Sequence, residues 1–187
     1  MTRQLLLLPA ALLCLAAAPA PKATPAKPAP KAAPAKAAPA KAAPAGPYDA
    51  QNPQNLMEIL GSAGAKVQTS RREADSVFVT VTSTAANFSL QFAGCSAQGR
   101  ACQAALFDSI LDGGAPTLAQ INGFNQTSVF CRIYQDRAGK AHATYAALLV
   151  KSDTRQTAML HLAAWQGCLG ESRDFLRDPV AYLANAA

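Results

Sequence analysis

From Val77 to Val81 every second residue is valine, with Phe78 and Thr80 between them and Thr82 following. Period-two spacing in β-branched residues predicts a strand over 76–82. The alternation recurs at Phe88, Leu90 and Phe92, and again at Cys102, Ala104, Leu106 and Asp108, on either side of a polar connection bracketed by Gly94-Cys95 and Gly99-Arg100. This pattern predicts a β-hairpin with Cys95 and Cys102 at its shoulders. A short strand is expected over Ala65 to Ser70, before a polar turn at 71–75. Another runs through Phe130, Arg132 and Tyr134 to about Gln135, and returns from His142 to Val150 after the turn Ala138-Gly139-Lys140.

Spacings of three and four mark the helices. Asn52-Pro53 predicts a helix start, with Leu56, Ile59, Leu60 and Ala63 on one face and Gly61 and Gly64 ending it. Thr117 caps a second helix that has Leu118, Ile121 and Phe124 on one side. A third starts near Thr154 and carries Ala158, Leu162, Trp165 and Leu169. Its continuation from Ser172 to Leu183 aligns Phe175, Leu176, Val180 and Leu183, with Pro179 kinking or restarting it. The order helix, three or four strands, helix, two strands, helix predicts an α+β domain whose antiparallel sheet has helices on one face.

The patterned part occupies 48–187. Before it, MTRQLLLLPAALLCLAAAPA has one positive charge at Arg3 and an apolar run from Leu5 to Ala18, shorter than the roughly 20 residues of a membrane-spanning helix. Residues 1–20 therefore read as a secretory signal peptide cleaved between Ala16 and Ala20, with lipidation at Cys14 a poorly fitting alternative because Leu13 precedes it. Residues 21–47 are nearly all Ala, Pro and Lys, with Ala-Ala-Pro-Ala-Lys repeated at 32–36 and 37–41. Pro blocks helix and Ala offers little surface to bury, so this stretch is expected to be a disordered linker.

Charge sharpens the division. Six of the 17 Lys and Arg lie in the first 47 residues, and the remaining 11 balance 11 acidic residues in 48–187. The basic character belongs to the leader and linker, and the neutral domain has no basic groove for nucleic acid. The Lys-rich stretch is a spacer with, at most, weak attraction to anionic envelope polymers or lipid headgroups. No transmembrane segment is expected after signal removal.

Several words of the domain resemble the YbjN family, bacterial sensory transduction regulators with a fold like that of type III secretion chaperones. They are Tyr48-Asp49-Ala50 leading into Leu56-Met57-Glu58-Ile59-Leu60, Phe92-Ala93-Gly94-Cys95 with Cys102-Gln103-Ala104-Ala105-Leu106-Phe107, Ile121-Asn122-Gly123-Phe124-Asn125, Arg132-Ile133-Tyr134, and the apolar helix bearing Trp165. The resemblance spans 48–183. Phe124 stands where members of the family often have Trp, and 141–150 lacks the acidic residue they often carry there. The resemblance implies a regulatory or chaperone-like protein that binds another polypeptide, and it implies no enzymatic activity.

Candidate chemistry is sparse. Cys95, Cys102, Cys131 and Cys168 remain after signal removal, and an even number in an exported domain points to two disulfides, with buried free thiols as the alternative. The hairpin pairs Cys95 with Cys102, which leaves Cys131 for Cys168. Cys-x6-Cys is not a zinc spacing, and no Cys-x-x-Cys motif is present. His142 or His161 beside Cys131 or Cys168 would make a nucleophile, but a hydrogen-bonded structural histidine is the simpler reading. Asn122, Asn125, Tyr134 and Trp165 are candidate structural or binding residues. The sequons at Asn87 and Asn125 both lie in predicted elements.

The signal peptide and cysteines lead to the expectation of an exported protein of the periplasm or extracellular space, without cofactor or metal. The resemblance implies a non-enzymatic protein-binding module that grips its partner by a sheet edge or the helix-covered face. A thiol-redox protein using one cysteine pair is the alternative. Intact-mass measurement of material from its native compartment is expected to show a chain starting between residues 17 and 21. A mature chain starting at Met1 would overturn export.

Overall fold

The structure is a computed structural model and describes residues 47–186. The signal peptide, Cys14 and all but the last residue of the expected linker lie outside the described residues.

Asn52 caps helix α1 (Pro53–Ser62) by accepting from the Gln54 amide, and Pro53 supplies the fixed φ of a first helical position. Four strands follow: β1 (Lys66–Arg72), β2 (Ser76–Thr82), β3 (Asn87–Ala93) and β4 (Ala104–Ile110). Helix α2 (Leu118–Thr127) opens on a capping box in which Thr117 and Gln120 satisfy each other's backbone amides. Strands β5 (Arg132–Gln135) and β6 (Ala141–Leu148) form the second hairpin. Helix α3 (Arg155–Arg177) opens on a second capping box, between Thr154 and Thr157. The Pro179 position restarts the chain as a separate helix, α4 (Pro179–Ala186).

The six strands pair in the order β1-β2-β3-β4-β6-β5, antiparallel throughout, so the domain is α+β. Register aligns the alternating residues into one apolar face. Val79 opposes Leu90, Leu90 opposes Phe107, and Phe107 opposes Tyr145. Beside this row Val77 opposes Phe92, Phe92 opposes Ala105 and Ala105 opposes Ala147. A slip of one residue in any strand would turn this row to water, so burial fixes the register.

Helix α3 covers that face through Trp165, whose ring lies 5.6 Å from Phe88 and 5.7 Å from Phe107 between centroids. Leu56, Ile59 and Leu60 of α1 and Ile121 and Phe124 of α2 join the same core. Phe124 meets Phe175 at 4.9 Å and Tyr182 at 5.6 Å, which ties α2 to the end of α3 and to α4. Truncating a buried aromatic of this kind to Ala costs about 3–5 kcal/mol.

Some expected positions differ. Strand β5 starts at Arg132 instead of near Phe130, because Ser128 to Cys131 is held as a turn: the Ser128 hydroxyl accepts from the Cys131 amide, and Arg132 donates to the carbonyls of Ser128 and Cys131. Ala63 follows the last residue of α1 and is exposed, and Leu118 and Val180, in the first turns of α2 and α4, project past the core edge. Strand β1 is longer than expected and carries a bulge between Thr69 and Arg71.

The cysteines pair as the hairpin pattern predicts, Cys95 with Cys102 and Cys131 with Cys168, their sulfurs at bonding distance. Gly94 and Gly99, at φ +65° and +68°, take the left-handed conformations that let the connection between β3 and β4 double back, and Ala101 adopts one at φ 52° just before Cys102. The second pair joins the start of β5 to α3 across a separation of 37 residues, against 7 for the first. Two disulfides fit a compartment that keeps cysteines oxidised. In the chain-entropy account the closed loops contribute about 4 and about 2.5 kcal/mol respectively. Denaturant unfolding is expected to show a larger stability loss for the Cys131→Ala/Cys168→Ala pair than for Cys95→Ala/Cys102→Ala, and non-reducing peptide mapping to return only these two linkages.

Candidate functional site

The uncovered face of the sheet carries a polar cluster at the ends of β4, β5 and β6. Tyr134 and His142 are cross-strand partners, and their rings stack 4.8 Å apart. The Tyr134 hydroxyl donates to Asp108 Oδ2 at 2.8 Å, and His142 Nδ1 lies 2.9 Å from Asp108 Oδ1. With its hydrogen on Nδ1, the imidazole donates to the same carboxylate, so Asp108 holds both rings. His142 Nε2 is buried without a hydrogen bond, 3.5 Å from Asp136 Oδ2. Asp136 sits in the β5–β6 turn, where amide donation from Lys140, then from Ala138, draws its carboxyl below the ordinary value. The cluster pins three strands to one another.

Asn125 acts at the other side of β5. Its side chain donates to the Ile133 carbonyl and accepts from the Ile133 amide, both at 2.9 Å, so it replaces a neighbouring strand at the sheet edge. A buried amide and carbonyl left without such partners would cost about 1–3 kcal/mol each. Asn122, three residues earlier, is exposed on α2. Trp165 is buried at 1% exposure, and its indole N–H has no hydrogen-bond partner.

The histidines stand apart from thiol chemistry. His142 points to the open face, whereas Cys131 and Cys168 are bonded to each other in the core. His161 Nδ1 lies 2.7 Å from the Tyr145 hydroxyl. Among the described residues no group of three or more His, Cys, Asp and Glu is placed to hold a metal ion, and no helix is long and apolar enough to cross a membrane.

On the helical side a groove of about 730 Å³ runs beside α3. Its α3 wall includes Arg155, Met159, Leu162, Gln166, Leu169 and Arg173. The opposite walls are the last turn of α1, with Ile59 and Leu60, and the β2–β3 turn at Ser83–Ala86. No acidic side chain lines it. Sequence reading placed Leu162 and Leu169 on the apolar side of this helix; Leu169 is a buried core residue, and Leu162 is partly buried at the groove. Met159 is 46% exposed, and Leu160 beside it is 60% exposed.

Asp108 and Asp136 were not singled out from sequence. Folding the second hairpin about Ala138-Gly139 would have matched Tyr134 with His142, but Asp108 joins them only through the pairing of β4 with β6.

Burial, then the Asp108 carboxylate, push the Tyr134 hydroxyl up to about 12 from the ordinary 10.0. The folded state therefore favours the protonated phenol. That contribution is fully present below about pH 10 and fades as pH rises through about 12. In denaturant titrations Tyr134→Phe is expected to show a shallower loss of stability between those limits than the parent chain; identical slopes would overturn the assignment.

Comparison of the chain with protein-family models, with curated proteins and with solved structures finds no match.

Proposed function

We propose that the chain is an exported, non-enzymatic protein-binding module of the YbjN type, chaperone-like or regulatory, working in the periplasm or outside the cell. The observation that carries this reading is the groove beside α3. It has apolar walls and partly exposed Met159, and it is lined without a carboxylate. Exposed apolar surface of this kind is a feature of contact sites.

The sheet edges are less suited to holding a partner. Asn125 occupies the backbone of Ile133 on β5. Strand β1 is bulged and carries Lys66, Arg71 and Arg72, devices that oppose edge-to-edge pairing. The Lys-rich stretch 21–47 would serve as a spacer with weak affinity for anionic envelope material. The alternative, a thiol-redox protein, would start at Cys95, the one of the four paired cysteines that is only partly buried; the other three are at 0% exposure. Exchange requires a thiolate to reach a sulfur, so titration of free thiols across a glutathione series separates the two readings.

The direct test is site-specific photo-crosslinking in the native envelope. A crosslinker at Met159 is expected to give discrete adducts that one at exposed Gln126 on α2 does not. Equal adducts from both positions, or none from Met159, would sink the groove as the contact surface.

A further inference from the structure

Helix α3 runs 23 residues, from Arg155 to Arg177, and most of its groove-lining residues fall on one repeating interval, with Ala163 and Trp165 lining the groove outside it. Arg155, Met159, Leu162, Gln166, Leu169 and Arg173 are separated by four, three, four, three and four positions, the interval of a coiled-coil seam. Such a seam is what the side chains of a second helix fill, knob into hole. The inward residues Trp165, Cys168, Ser172 and Phe175 occupy the neighbouring stripe against the sheet, and the two stripes meet at Leu169, which is buried, and at Trp165, which also borders the groove. Among the described residues the neighbours of the seam across the groove are one turn of α1, the β2–β3 turn, and Val81 and Phe88 of the sheet.

Charge selects the occupant. The seam begins and ends on arginine, 18 positions and therefore about 27 Å apart along the helix. Neither Arg155 nor Arg173 forms an ion pair among the described residues. Between them the α3 wall offers Met159, Leu162 and Leu169. A volume of about 730 Å³ takes a row of side chains and leaves the body of a helix outside, as ridge-into-groove packing does.

We propose that the groove binds an amphipathic helix of a partner protein, with an apolar stripe at heptad spacing and acidic residues at both ends of that stripe. This rests on the protein-binding reading above and names the chemistry of the partner. The partner carboxylates meet Arg155 and Arg173, and its apolar knobs enter between Met159, Leu162 and Leu169. An acyl anion fits less well, because it brings one charged end to a groove that has a cation at each.

The test uses the oxidised full chain and a designed three-heptad peptide with Leu at the seam positions and Glu at both ends, with a Lys-ended version and a scrambled version as comparators. Trp165 is the only tryptophan and lines the groove, so its fluorescence reports occupancy. The Glu-ended peptide is expected to change that emission in a saturable way and to bind about tenfold more tightly than the Lys-ended one. The scrambled peptide should not bind. The Arg155→Glu/Arg173→Glu variant changes two exposed positions and should reverse the preference. Equal binding of both peptides, an unchanged preference in the variant, or saturation by palmitate or phosphatidylglycerol vesicles with no response to peptide would overturn the proposal. If those peptides fail while Met159 still crosslinks to a discrete protein, only the helix assignment falls; if the crosslinks fail too, the binding reading falls with it.

Discussion

Docking of Trp165 onto Phe88 and Phe107 is the contact from which the rest of the domain takes its arrangement. A sheet with one apolar face has to be covered, and a helix can cover it only with a stripe about a third of its circumference wide. Once Trp165 is fixed on the sheet, the 3.6-residue period puts Cys168, Leu169, Ser172 and Phe175 inward as well. Cys168 then meets Cys131, and Phe175 meets Phe124. The same phase leaves Arg155, Met159, Gln166 and Arg173 turned away from the core. One rotational setting of α3 thus produces both the disulfide and the groove.

The two hairpins are finished in different ways. The first is closed by Cys95–Cys102, across a connection that needs left-handed backbone at Gly94, Gly99 and Ala101. The second has a four-residue β5 that cannot hold itself at the sheet edge by pairing alone. It is held from two sides, by Asn125 on its outer backbone and by the Asp108, His142 and Tyr134 contacts on the open face. Polar contacts hold the strand there, on a face that no helix covers. Ser128 contributes from the core side, accepting from the Cys131 amide and donating to Glu171, which in turn accepts from Tyr182. The short strand is therefore tied to α2, α3 and α4 through side chains of modest size.

Several features were written locally in the chain. Alternation at Val77, Val79 and Val81, and at Leu90 and Phe92, specifies strands because successive side chains of an extended chain point to opposite faces. Asn52, Thr117 and Thr154 specify helix starts because a short polar side chain reaches an amide two or three residues on. The Cys95–Cys102 pair was legible for the same reason, since a hairpin brings its two ends together by local geometry. The order of elements then led to an α+β domain. The strand order β1-β2-β3-β4-β6-β5 was not local: nothing between β4 and β6 in sequence says that β6, and not β5, will lie beside β4. Asp108 consequently meets His142 across 34 positions, a contact that appears only when two separate hairpins share an edge. The α3 seam escaped for a different reason. Leu162 has the same apolarity as the core residue Leu169, and only the tertiary packing, with α3 set by Trp165 and one turn of α1 opposite, decides that Leu162 and Met159 border an open groove.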